Sequence, residues 1–168
     1  MIRSNVLTGD YTITFSPVPY HDTPPGETKT LTANSRIVFN GNYTFTDANN
    51  NQMPDPWEQE QFGEVSATRT ASSDSDSDGL TDLGEFISGT VPTDPASRLE
   101  ITSAQVLSNN RVSVTWPAAD GKTYIIHGST DGRNWQPFSA PLKATGSQLN
   151  HIITPPSTGN ACLLKLEA

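Results

Sequence analysis

Residues 74–85 read Asp74-Ser75-Asp76-Ser77-Asp78-Gly79-Leu80-Thr81-Asp82-Leu83-Gly84-Glu85. The spacing is D-x-D-x-D-G-x-x-D-x-x-E without a miss, the pattern of a calcium loop. Ca²⁺ takes six to eight hard oxygens at about 2.3–2.6 Å, and a tight loop can aim positions 1, 3 and 5 (here Asp74, Asp76 and Asp78) at one point. Gly79 permits the sharp turn at position 6, and the Leu80 carbonyl serves at position 7. Asp82 at position 9 acts directly or through water, and Glu85 at position 12 closes the shell with both oxygens. The competing reading is a solvated Asp/Ser linker, which such runs often are. Against it stand Leu80, Leu83, Phe86 and Ile87, placed directly after the acids, with Gly89 as a C-cap. A linker has no need of a short amphipathic helix in that register.

Twenty-seven residues earlier lies a degenerate copy: Asp47-x-Asn49-x-Asn51-Gln52-Met53-x-Asp55-x-x-Glu58. The Met53 carbonyl takes position 7, and Asn oxygens replace two carboxylates, which lowers the ligand charge and weakens binding. Gln52 stands where glycine is expected and must adopt an unusual backbone conformation there. A helix follows Pro54 and Pro56, runs from Trp57 to Phe62, and ends at Gly63, proline being tolerated in a first helical turn. The repeat of the spacing argues for two or more calcium ions.

The charge is concentrated in the same place. The chain of 168 residues carries 18 acids and 10 bases, a net −8. Residues 47–98 hold eleven of the acids and only two bases, Arg69 and Arg98, so this stretch alone carries −9. Concentrated carboxylates suit a cation and disfavour nucleic acid, whose phosphates need clustered Lys and Arg. No apolar run approaches the roughly 18 residues of a membrane span. The start, Met1 to Asn5, has no apolar stretch behind it and does not read as a signal peptide. The single Cys162 excludes an intrachain disulfide, and its apolar surroundings suggest a buried structural thiol.

The flanks read as β. Residues 5–46 alternate at Tyr11-Ile13-Phe15, Thr28 to Thr32, Ile37 to Phe39 and Tyr43 to Phe45, broken by Pro17, Pro19 and Pro24-Pro25-Gly26. So short a module cannot bury a core of its own. It is expected to pack on the acidic segment through Trp57 and Phe62, or to pair its Ile37–Phe45 edge with a second chain. Residues 99–168 hold runs at Leu99 to Ile101, Val106-Leu107, Arg111 to Trp116, Lys122 to His127, Trp135 to Phe138, Leu149 to Thr154 and Ala161 to Leu166. Asn109-Asn110 and Asp131-Gly132 supply turns, and strands at this spacing argue for a small β-sandwich with Trp116 and Trp135 in its core. The expected fold is mainly β. A small antiparallel sheet module spans 1–46, a double calcium-binding loop-helix segment 47–98, and a β-sandwich 99–168.

The segment from Asp47 through Met53-Pro54-Asp55-Pro56-Trp57-Glu58, then Asp74 to Glu85 and on to Gly89-Thr90-Val91-Pro92-Thr93-Asp94-Pro95, resembles the bacterial thrombospondin type 3-like calcium repeat, whose loops are similar to those of dockerins. That resemblance covers residues 47–97. It implies a rigid, calcium-stapled connector in a large secreted or surface protein. Where the family turn reads Gly-Thr-Asp-Pro, Val91 stands in the Asp place, so a supplementary carboxylate from this turn must come from Asp94. Residues 99–168 look similar to a fibronectin type III-like sandwich. His21, His127 and His151 are scattered, no G-x-S-x-G or P-loop occurs, and no residues present themselves for catalysis. The leading expectation is a non-catalytic, calcium-stabilised structural, adhesion or assembly module, extracellular or at the cell surface, with self-association or a cell-surface partner. A carbohydrate-binding accessory module with a polysaccharide partner is the alternative.

Overall fold

The computed structural model describes residues 6–155 and 162–168. Readings that fall on residues 1–5 and on Ala161 lie outside the described residues. Among the described residues the protein is mainly β, with small antiparallel sheets and two short helices.

Near the N-terminus β1 (Gly9–Ile13) and β2 (Glu27–Leu31) form a two-stranded antiparallel sheet in the register Gly9↔Leu31 to Ile13↔Glu27. Cross-strand hydroxyl and carboxylate pairs tie it, Thr12 to Thr28 at 2.8 Å and Thr30 to Asp10 at 2.6 Å. The strands expected at residues 37–39 and 43–45 do not form. Only Thr44 joins a ladder, a single bridge to Asp22. A strand needs a continuous row of donors opposite it, and prolines at 17, 19, 24 and 25 break the neighbouring segments. The alternating aromatics are used for ring contacts instead, Phe15 edge-on to Tyr43 at 6.3 Å and His21 edge-on to Phe45 at 5.1 Å.

The acidic segment holds α1 (Asp55–Phe62) and α2 (Asp82–Ser88). Pro54 and Pro56 open the first, and Gly63 closes it at φ 76°. Thr81 caps the second by accepting the Gly84 N–H at 3.1 Å, and Gly89 closes it at φ 78°. The expected apolar face of α2 is corrected here. Ile87 is 46 % exposed, and the buried residues are Asp82, Glu85 and Ser88. These recur every three residues, so the most buried face is the polar one, while Leu83 and Phe86 are half-buried beside it.

Among the described residues seven strands follow. A three-stranded sheet sets β4 (Val112–Pro117) between β3 (Ser103–Val106) and β8 (Gln148–Ile153). In the other, β5 (Thr123–Ser129) pairs with β6 (Gln136–Pro137), β7 (Leu142–Lys143) and β9 (Leu163–Glu167). Side chains of both sheets meet in one core: Val114, Trp116, Tyr124, Ile126, Ala144 and Ile153, with Leu164 and Leu166 packed against them. The hairpin joining β3 and β4 closes with the Leu107 N–H on the Arg111 carbonyl at 2.8 Å, and the three residues between turn through Asn109 and Asn110, both left-handed at φ 62° and 57°. Leu99 to Ile101 form no strand, although Leu99 and Ile101 pack against this core. Cys162, just before β9, is half-buried rather than buried.

Both flanks meet at α2. The Phe86 ring contacts Trp57 at 5.2 Å, His21 at 6.4 Å and Tyr20 at 6.5 Å, centroid to centroid. Tyr20 also donates to Glu60 of α1 at 2.8 Å. From the other side, the Lys122 ammonium lies 4.4 Å over the same ring and donates to the Phe86 carbonyl. The N-terminal module therefore packs on the acidic segment within the chain. Trp57 takes part as expected, whereas Phe62 faces Arg69 and Phe86 is the shared ring.

Candidate metal centre

The loop over 74–85 is built by its own carboxylates. Asp74 accepts the N–H groups of Ser77 (2.7 Å) and Gly79 (3.1 Å), Asp76 accepts that of Asp78 (3.1 Å), and Asp78 accepts that of Leu80 (2.7 Å). Each bond curls the chain by two to five residues and turns the acids inward. One oxygen from each of Asp74, Asp76 and Asp78 lies within 4.8 Å of the others. Asp82 closes the ring from the helix, taking the Ser75 N–H and the Ser75 hydroxyl, both at 2.8 Å. Its role is to hold the loop shut, since both of its oxygens are engaged.

The loop over 47–58 repeats much of this geometry, without the counterparts of the Asp76 and Ser75 hydroxyl bonds. Asp47 accepts the Gln52 N–H at 2.9 Å, as Asp74 accepts that of Gly79, and also that of Asn51 at 3.0 Å. Asn51 accepts the Met53 N–H at 2.9 Å, as Asp78 accepts that of Leu80. Asp55 accepts the Ala48 N–H at 3.0 Å, as Asp82 accepts that of Ser75. The N–H groups of Asp55 and Asp82 donate to the Thr46 and Ser73 carbonyls, which precede their loops. Left-handed backbone recurs at position 4 (Asn50, φ 56°; Ser77, φ 65°) and at position 6 (Gln52, φ 71°; Gly79, φ 98°). Gln52 does adopt the conformation its place in the pattern demands.

The chain matches no family model, no curated protein and no solved structure.

What distinguishes a metal loop from a tight turn is oxygen left over. Asp76 Oδ2 and Glu85 Oε2 are buried with no hydrogen-bond partner. Asn49 Oδ1, at position 3 of the first loop as Asp76 is of the second, is left in the same condition. Its orientation is set by the amide nitrogen, which donates to the Ser66 carbonyl at 3.0 Å and to both Glu58 oxygens at 3.1 and 3.2 Å. Asn51 Nδ2 is also unpartnered. Glu85 is fully buried. Burial, with the charges of Asp76, Asp78 and Asp82 adding to it against a hydrogen bond from Thr90, pushes its carboxyl from the ordinary 4.5 up to about 7. Buried anions without a counter-charge are costly, and a hard divalent cation removes that cost. The donor set is all oxygen, which fits Ca²⁺ or Mg²⁺ and not a soft metal.

The two loops differ at position 12. Glu58, also fully buried, holds an ion pair with Arg69 Nη1 at 3.0 Å. Arg69 Nε reaches Asp82 Oδ2 at 3.5 Å, so one guanidinium touches both loops. Arg98 Nε lies 3.5 Å from Asp78 Oδ2. Both residues were missed as site residues, although their being the only bases among eleven acids was a signal. Asp94 is exposed and caps its own turn by accepting the Ala96 N–H at 3.0 Å, outside the gathered oxygens of Asp74, Asp76 and Asp78.

Proposed function

We propose that the chain is a calcium-stabilised structural module in which the 74–85 loop is the principal site and the 47–58 loop a weaker one. The observation that carries this reading is Glu85: a fully buried carboxylate with an unpartnered oxygen, beside the charges of Asp76, Asp78 and Asp82. Asp74, Asp76, Asp78 and Glu85 would hold the ion with the Leu80 carbonyl, while Asp82 fixes the loop. Mg²⁺ fits less well, because it demands compact octahedral geometry and gives up water reluctantly.

Calcium in this loop would order the start of α2, and α2 is where both β-regions attach. The work of the module is then mechanical: holding an N-terminal sheet and a fibronectin type III-like sandwich at a fixed angle in a secreted or surface protein. The resemblance to thrombospondin type 3-like repeats supports that reading. So does Trp116, wholly enclosed in the core and therefore no platform for a sugar. Trp135, also expected in the core, is half-buried outside it, with the Lys165 ammonium 5.0 Å from its ring centroid. Among the described residues no helix is long and apolar enough to cross a membrane. The test is calorimetric titration of the chelated chain with calcium, together with thermal melts with calcium and with EDTA. Saturable binding with a raised melting temperature supports the reading; a melt indifferent to both additions overturns it.

A further inference from the structure

Arg69 is placed as no other base in the acidic segment is. Its guanidinium lies 3.5 Å from the Phe62 ring centroid, its Nη1 donates to Glu58 and its Nε faces Asp82. Its side chain is 12 % exposed, so water screens its charge little, and an arginine cannot lose its proton. Arg98 beside Asp78 differs, because its side chain is 53 % exposed and is free to swing into solvent. The first loop has only three acids, Asp47, Asp55 and Glu58, against five in the second. One of those three is already paired.

We propose that Arg69 is the resident cation of the first loop. It neutralises Glu58 in place of a metal, and it sets the order of filling, second loop first and first loop only at much higher calcium. This rests on the calcium reading above. Two consequences follow from the geometry. A divalent ion entering the first loop must compete with the guanidinium for Glu58 and is repelled by its charge. The first loop also stays closed without metal, which leaves the repeat half-formed rather than unfolded when calcium is scarce. Through Asp82 the same guanidinium touches the loop that does bind, so the two sites share one charged group.

The experiment is calorimetric titration of calcium into the full chain and into Arg69→Gln and Arg69→Lys, with circular dichroism of each in EDTA. The wild type should show one tight and one weak event. In Arg69→Gln the weak event should tighten by about tenfold or more, the effect of one charge-assisted bond to Glu58. Adding Asp47→Asn should remove the event that moved. Arg69→Lys keeps the charge, so its weak event should stay within about threefold of wild type. An unchanged or weakened second event in Arg69→Gln overturns the proposal while leaving the calcium reading intact. Absence of any calcium binding in all three overturns both. Should Arg69→Gln fail to fold, Arg69→Lys decides, and a tenfold tightening there overturns the role of the charge.

Discussion

The Tyr124 hydroxyl donates to the Ser88 carbonyl at 2.7 Å while accepting the Ala119 N–H at 2.8 Å. This bond joins the sandwich core to the last turn of α2. Carbonyls at a helix C-terminus have no partner within the helix and carry partial negative charge. Lys122 supplies the second cap by donating to the Phe86 carbonyl. Burial pushes the Lys122 ammonium below the ordinary lysine range, so the residue is held there at some cost. The route from the 74–85 loop to the sandwich is therefore short: Glu85, one turn of helix, then Tyr124 and Lys122.

Tyr124→Phe should loosen this joint. It strips the hydroxyl from two backbone groups in a buried place, at a cost of about 1–3 kcal/mol. The expected outcome is a lower urea midpoint with unchanged slope. A calcium affinity that stays the same would place the effect at the joint and not in the loop.

Gly89→Ala tests how closely α2 approaches the sandwich. A Cβ there would lie 2.3 Å from the Ala119 Cβ, and φ is 78°. Gly63→Ala is the control, with φ 76° and no atom within 4 Å of the added carbon. Both substitutions should cost the left-handed penalty of about 1–2 kcal/mol. Only the first should add an overpacking cost of about 1–3 kcal/mol. Equal losses in denaturant melts would mean that the contact with Ala119 yields easily.

Glu85→Gln should act in opposite directions with and without calcium. In EDTA the amide removes a buried, unpaired negative charge, and the melting temperature should rise. With calcium at a hundredfold excess over Kd, the wild type gains about 2.7 kcal/mol from the metal, and the variant should lose most of that. The two melting curves should therefore cross over between conditions, which differential scanning calorimetry would detect.

The pH dependence follows from the same residue. Glu85 titrates near 7 in the folded chain against an ordinary 4.5, so between these values the folded state holds a proton that the unfolded state has lost. In EDTA its contribution to stability is therefore present below about pH 4.5 and lost as pH rises through about 7. Calcium binding must expel that proton, so affinity should fall as pH drops below 7, with proton release visible as a buffer-dependent heat. Glu85→Gln should flatten both dependences.

The two loops were legible from residue spacing because each is a local structure. Asp74 finds its donors three and five residues ahead, and Asp78 finds one two residues ahead. Such short-range geometry depends on residue types at fixed offsets, and so do the left-handed Gln52 and the Gly63 and Gly89 caps. The mainly β character of the flanks and the Asn109-Asn110 turn were readable for the same reason.

Tertiary structure decided what those local pieces touch. Ile37 to Phe39 and Tyr43 to Phe45 alternate like strands, yet strand formation needs a donor row supplied by another segment, and prolines interrupt the neighbouring ones. Leu83, Phe86 and Ile87 suggested an apolar face on α2, but what is buried depends on what packs there. Asp82, Glu85 and Ser88 are the most buried side chains there, Phe86 packs half-buried against Trp57, and Ile87 is left exposed. Arg69 lies 11 residues from Glu58 and 13 from Asp82, too far for any local rule to join them. Its charge was visible in the sequence, but its place between the loops was set only when α1, the Phe62 ring and the second loop closed around it.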